Sequence, residues 1–287
     1  MTRRALLLIN RHARQGQNSQ AIAQLQKLDL ELILENIEDV RFLPEIIQSY
    51  KDKVDLVIVG GGDGTLNAAV DGLVSTQLPL GILPLGTAND LARTLGIPNS
   101  LSEACKIIAS GNVQHIDLGW VNGKHFFNVA SLGLSVQITQ KLTKKAKRRW
   151  GVFAYAITAI KAMWQVRPFH AEIRLNGQTI QLKTIQIAIG NGRYYGGGMT
   201  IVHDAKINDQ RLDVYSLEIQ HWWQMLALLP ALRRGRHTAS LGVRTFHAQE
   251  IEVYTRKPRP INTDGEITTY TPAHFRVIPR ALAVLVP

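Results

Sequence analysis

The sequence predicts an α/β fold followed by a β-rich one: a Rossmann-like parallel α/β domain over residues 1–117, then an antiparallel β-sandwich-like domain over 118–278. Three observations lead there. Up to about Asp117, short apolar runs alternate with helical patterns, the rhythm of βαβ units around a parallel sheet covered on both faces. Beyond it, "WVNGKHFF" and "IRLNGQTIQL" place Asn-Gly between alternating apolar residues, the strongest short hairpin signal. The length of 287 residues, 45% of them hydrophobic, suits two modest domains, each with a core.

The elements follow in order. Ala5 to Ile9 forms a first buried strand; the run is too short for a secretion signal and has no small-residue cleavage site. A polar helix around Ala21 to Lys27, a strand in "LELIL", a helix near Leu43 to Tyr50, a strand in "VDLVIVG" and a helix from Thr65 come next. "LPLGILPLG" and "ANDLARTLG" continue the series. The single cysteine, Cys105, sits on the apolar side of a helical pattern, which makes it a buried structural thiol. One cysteine permits no internal disulfide and suits a reducing cytoplasm. After the two hairpins, "IQIAI", "RLDVYSLEI" and "AQEIEVYT" alternate as strands. The final "ALAVLVP" is too apolar for an exposed tail and reads as a strand, residues 279–287, packing back on either domain.

Charge divides the chain. Residues 1–140 carry 11 basic and 13 acidic side chains and the remainder 22 and 9, so the two parts are −2 and +13. That asymmetry points the later part toward an anionic partner, a membrane surface or nucleic acid. Within it, residues 141–164 form a basic amphipathic helical pattern: Lys141, Lys144, Lys145 and Arg148 on one face, Trp150, Phe153, Ile157, Ile160 and Trp164 on the other. "WWQMLALLPALRRGRH" repeats the combination. Both favour peripheral contact with anionic lipid, and neither is long enough to span a bilayer. No nucleic-acid-binding motif is present, so no nucleic-acid partner is expected. The sequence leaves the oligomeric state open, a homodimer included.

"VIVGGGDGTLN" holds the densest signal. A buried strand ends, four of the next five residues are Gly, and a helix begins, so amide groups and a helix's positive end converge on an anion. Thr65 stands where a dinucleotide motif needs its third glycine, and no Gly-Lys-Ser/Thr follows to make a Walker loop. Without a lysine of its own, such a loop draws positive charge from elsewhere, most simply from Mg2+ held by Asp63. "GILPLGTANDLARTLG" reads as the companion wall: Gly86 frees a turn, Thr87 offers a hydroxyl, and Asn89 and Asp90 occupy a first helical turn. In "NTDGEI", two carboxylates flank a glycine on a turn, so both can approach one alcohol, and their repulsion favours proton acceptance by one.

Taken together, "GGGDGTLNAAVDGL", "PLGTANDLAR", "IDLGWVNGKHFFNVASLGL", "NGRYYGGGM", "AKINDQRLDV" and "NTDGEI" resemble the diacylglycerol kinase catalytic family in its soluble bacterial lipid kinase branch, over nearly the whole chain. The first motif alone also resembles NAD kinases and phosphofructokinases; the later ones carry the lipid-kinase likeness. The resemblance implies ATP and Mg2+ as cofactors. It implies nucleotide contacts from Asn10, Gly61, Gly62, Asp63, Gly64, Thr65, Leu66, Asn67, Ala68, Gly86, Thr87, Asn89 and Asp90. The Asn-Pro and following Gly usual at Asn10 are replaced by Arg11 and Arg14. It implies that Asp63, Asp90 and Asp117 organise magnesium through water, and that Asp209, with the carbonyls of Lys206 and Arg211, holds a second, structural magnesium. Gln210 stands there in place of the usual Gly. Glu266 is implied as proton acceptor and Asp264 as its partner.

The resulting expectation is a cytoplasmic, peripherally membrane-associated kinase that transfers the terminal phosphoryl group of ATP to a lipid hydroxyl, with diacylglycerol giving phosphatidic acid as the leading case. The segment "NGRYYGGGM" is expected to line the cleft between domains, although Tyr194 and Tyr195 fit equally as sheet aromatics. A soluble kinase acting on NAD, or a silent nucleotide- or lipid-binding regulator, are the rival readings.

Overall fold

The computed structural model describes residues 2–10, 15–28, 30–141, 167–195, 199–200, 205–218 and 242–287. The basic amphipathic segment 142–164, the Trp-rich segment 222–237 and the arginines 11 and 14 lie outside these residues.

The first stretch alternates strand and helix as its apolar rhythm requires: β1 (Arg3–Asn10), α1 (Gln15–Leu25), β2 (Leu30–Ile37), α2 (Leu43–Ser49), β3 (Leu56–Gly61), α3 (Asp63–Thr76), β4 (Leu80–Pro84), α4 (Asp90–Thr94) and α5 (Leu101–Ser110). The strands run parallel in the order β2-β1-β3-β4. Every residue of β3 and β4 is buried, which is why they read as unbroken apolar runs rather than alternating ones. Helix α1 starts earlier than the 21–27 pattern suggested. On α5, Ser100 caps the first turn and Cys105 packs into the core, where burial pushes its thiol up to about 11.

The remaining strands are β5 (Val113–Val121), β6 (Lys124–Phe126), β7 (Val129–Gly133), β8 (Phe169–Leu175), β9 (Gln178–Thr184), β10 (Gln186–Gly190), β11 (Tyr194–Tyr195), β12 (Met199–Thr200), β13 (Leu212–Leu217), β14 (Val243–Ala248), β15 (Glu250–Thr255), β16 (Pro260–Thr263), β17 (Glu266–Tyr270) and β18 (Ala273–Leu285), with helix α6 (Leu134–Lys141) after β7. Asn122-Gly123 and Asn176-Gly177 turn the β5–β6 and β8–β9 hairpins, all four residues at positive φ. Six strands form an antiparallel sheet in the order β14-β13-β10-β7-β16-β17.

Strand β18 sets the molecule's frame. Its early residues pair with β15, its whole length runs antiparallel to β5, and Val284 lies beside Leu80 of β4. The parallel strands and β18, β15, β8 and β9 thereby form one continuous sheet, a junction the apolar rhythm did not reveal. One apolar cluster surrounds the parallel strands; a second, with Phe126, Leu132, Ile173, Val214, Ile251 and Phe275, fills the space between the two antiparallel layers. At about 25 cal/mol per Å2 of apolar surface buried, these two clusters dominate the folding energy.

Candidate active site

Two loops at the carboxyl ends of β3 and β4 lie back to back. A side chain begun at Gly86 would come within 2.4 Å of Gly62 Cα, and one at Gly62 within 3.0 Å of Gly86 Cα, so these two backbones touch only because neither residue has a Cβ. Helix α3 begins at Asp63, two residues before the expected Thr65, because Gly62 is extended and serves as its N-cap. Asp63 thus stands at the helix's positive end, where a carboxylate is favoured. Its Oδ1 accepts the Leu91 N–H at 3.1 Å, drawing α4 to the glycine loop.

Each loop residue has a distinct place. Thr65 and Leu66 turn inward: Thr65 is buried against Gly61, and Leu66 joins the core. What these two offer a ligand is backbone. Gly64 and Thr87 are exposed, and Asn67 keeps a buried amide oxygen, Oδ1, with no hydrogen-bond donor among the described residues. Asn89 is not in the first helical turn but precedes it at φ 51, the left-handed region. Its side chain accepts Gly86 N–H at 3.0 Å and donates to Pro84 O, Gly86 O and Asn99 Oδ1, so it braces the loop from within. Asp90 is buried, with Arg93 at 4.0 Å. Asn10 closes β1 opposite Ile37.

The acidic turn approaches from the six-stranded sheet. Asp264 and Gly265 both adopt positive φ between β16 and β17, the hairpin geometry their sequence encodes. Asn262 Oδ1 accepts the Gly265 N–H at 2.9 Å, and its amide donates to Thr139 of α6 at 3.1 Å, tying the turn to that helix. The Asp264 carboxylate accepts three successive amides, Phe127 N–H at 2.7 Å and Asn128 and Val129 N–H at 3.0 Å each. Although Asp264 as a residue is only half-buried, desolvation of its carboxyl outweighs those donors and pushes it up to about 6, with the charge of Asp63 adding to the rise. Glu266 is exposed, and its Oε1 lies 4.0 Å from the point where a Gly64 side chain would begin. The glycine loop and the acidic turn therefore face one crevice.

Asp117 is buried in a junction of β5, β18 and the 206–211 loop. Its Oδ2 accepts Gln210 N–H and its Oδ1 accepts Arg280 N–H, both at 2.7 Å, which pins the 206–211 loop and the break in β18 to β5. Gln210 replaces glycine but keeps the left-handed backbone, φ 59, that glycine would favour. Lys206 is exposed. Asp209 is pushed up, first by burial, and is met by Arg211 Nε at 3.1 Å, so its charge has a cation from the chain itself. Among the described residues no group of three or more His, Cys, Asp and Glu side chains converges on a metal position. A metal in the crevice would take one or two carboxylates from the protein and its other ligands from phosphate and water, the habit of magnesium.

Two residues that hold the site escaped sequence reading. Asn191, which opens "NGRYYGGGM", donates to Asp117 O at 2.9 Å and Phe127 O at 2.8 Å, linking the junction to the amides that grip Asp264. Asn262 carried a usable signal: an Asn just before an Asp-Gly turn readily caps it.

A parallel-sheet phosphate loop facing a carboxylate turn defines an enzyme that moves a phosphoryl group to an alcohol. Residues 4–121 match the diacylglycerol kinase catalytic domain, and residues 128–286 match the YegS C-terminal NAD kinase beta sandwich-like domain. A diacylglycerol kinase of Bacillus subtilis (strain 168) is 30% identical over 236 residues, 81% of this chain and 78% of that protein. One from Staphylococcus aureus (strain bovine RF122 / ET3-1) is 29% identical over 245 residues, 85% and 78% of the two chains. A solved diacylglycerol kinase structure from Bacillus anthracis str. Sterne has the same fold, at a TM-score of 0.80 and 22% identity over 99% of this chain and 97% of that one. A second solved chain from that organism reaches a TM-score of 0.86 at 24% identity, over 99% and 95%. The chain belongs to the diacylglycerol kinase family. It is a kinase, a phosphotransferase with an alcohol acceptor.

Proposed function

We propose that this kinase transfers the terminal phosphoryl group of ATP to the hydroxyl of a membrane lipid, diacylglycerol being the leading acceptor and phosphatidic acid the product. The observation that carries the reading is the approach of Glu266 to Gly64, which brings a carboxylate to the mouth of the phosphate loop. The acceptor oxygen attacks the terminal phosphorus as the bond to the bridging oxygen breaks, ADP leaves with that electron pair, and the hydroxyl proton passes to a carboxylate. Glu266 is the acceptor of that proton: it is exposed, and its carboxylate makes no hydrogen bond to another described residue. Asp264, gripped by three amides, fixes the turn. The glycine loop, with Asn67, Gly86 and Thr87, binds the nucleotide phosphates. Asp63 and Asp90 would hold Mg2+, directly or through water, and the Asn67 Oδ1, which has no hydrogen-bond partner among the described residues, would suit a water of that ion. When bound, magnesium would neutralise charge on the phosphate chain as the hydroxyl approaches. At Asp209 the positive charge comes from Arg211, 3.1 Å away.

The +13 charge of the chain beyond residue 140 supports peripheral docking on anionic lipid. No helix among the described residues is long and apolar enough to cross a bilayer. The test is incubation with labelled ATP, magnesium and a panel of micellar lipid alcohols, with NAD alongside. Label should enter diacylglycerol or another lipid alcohol; label in NAD alone, or in nothing while ATP still binds, contradicts the reading.

A further inference from the structure

The glycine loop has no lysine, and the crevice it faces carries the carboxylates of Asp63, Asp264 and Glu266. Phosphate entering such ground needs fixed positive charge besides any metal. Two arginines are tied by backbone hydrogen bonds to carboxylates of this crevice, one on each wall. Arg93 belongs to α4, whose Leu91 N–H is held by Asp63. Arg193 lies one residue beyond Gly192, and the Asn191 and Gly192 N–H groups donate to Asn128 O at 2.9 and 3.1 Å. Asn128 in turn donates its own N–H to Asp264. Each arginine is therefore fixed through one or two residues of backbone to a site carboxylate.

Between them is Tyr194. Arg193 Cζ lies 5.4 Å and Arg93 Cζ 5.8 Å from the centre of its ring, and β11 packs against α4 to hold the three together. An aromatic face attracts and orients a guanidinium without consuming its N–H donors. Those donors are under-used. Among the described residues Arg93 has one acid, Asp90, at 4.0 Å. Arg193 has no ion pair among the described residues, and its Nε is buried without a hydrogen-bond partner. Two cations on one ring with a single distant carboxylate among the described residues, and a buried donor left over, make a place that a multivalent oxyanion would stabilise.

We propose that Arg193, oriented by Tyr194 and joined by Arg93, is a binding site for a dianionic phosphate group at the rim of the crevice, either the terminal phosphoryl group of the nucleotide or the phosphomonoester of the lipid product. The forked donors of two arginines match a phosphate with three free oxygens and match a phosphodiester less well. The proposal rests on the lipid-kinase reading for what phosphate compounds are present.

Binding separates the two sources. Calorimetric titrations with magnesium AMP-PNP and with ADP probe the terminal phosphoryl group. Pelleting with phosphatidylcholine vesicles containing phosphatidate, or phosphatidylserine as a diester control, probes the product. Arg193→Gln and Tyr194→Leu should weaken AMP-PNP or phosphatidate binding about tenfold or more, and leave ADP and phosphatidylserine within about twofold. Arg193→Lys, which keeps the charge and the fold but loses the fork, should fall between. Loss confined to AMP-PNP assigns the clamp to the donor, loss confined to phosphatidate assigns it to the product, and loss of both assigns it to each in turn. If the parent binds and the variants bind as well, or lose all four ligands equally, the clamp is wrong and the lipid-kinase reading stands. If the parent binds neither AMP-PNP nor phosphatidate, that reading fails and takes the clamp with it.

Discussion

Asp264 shows how a single side chain joins folding to chemistry. Its carboxyl titrates near 6 in the folded protein, against 3.8 ordinarily, chiefly through burial. Because the folded state holds the proton more tightly, this group's stabilisation is complete below the ordinary value and is lost as pH rises through about 6. In protein free of metal and nucleotide, the parent should therefore lose ground to Asp264→Asn between about pH 4 and about pH 7, by a few degrees in Tm. The variant's amide faces the Phe127 N–H and costs stability at every pH, so the slope of the difference carries the information. Parallel Tm curves for the two proteins would refute a raised carboxyl. The Asp-Gly-Glu spacing disclosed that two acids share a turn. It did not disclose the amides at 127–129, which come from a loop more than a hundred residues earlier.

The elements carry their ligand-facing groups on contacts that permit little adjustment. A methyl group on Gly86 meets backbone at Gly62, and neither chain segment can yield without moving β3 or β4. Gly86→Ala should cost about 1–3 kcal/mol in urea denaturation and weaken nucleotide binding at least about tenfold, since both loops must part. A parental midpoint with parental affinity would mean that the loops are looser than they look. At this scale the apolar rhythm was a good guide, because unbroken Val, Ile and Leu runs admit only buried strands, and Asn-Gly pairs admit few turns. Helix starts were less legible. Asn89 has the composition of a first-turn residue, yet its amide satisfies three groups around the loop and holds its own backbone left-handed. Which of those uses wins depends on Pro84 and Asn99, and local propensity contains neither.

In the molecule as a whole, β18 and Asp117 bring the two walls of the crevice into register. Asp117 grips one amide of the 206–211 loop and one at the break in β18, and β18 then lies along both β4 and β15. The apolar ending promised a strand, but its neighbours were not legible, since pairing among distant strands is set by burial over the whole chain. Charge asymmetry, −2 against +13, was legible at once, and the proposal of a membrane-facing later half rests on it.

The meeting of the two walls is tested most directly by single-turnover transfer from labelled ATP to diacylglycerol in micelles, comparing the parent with Glu266→Gln. Loss of the proton acceptor should slow the chemical step about 10²-fold or more, while AMP-PNP affinity stays unchanged. Transfer by the variant at the parental rate would contradict Glu266 as the group that faces the phosphate loop and takes the proton.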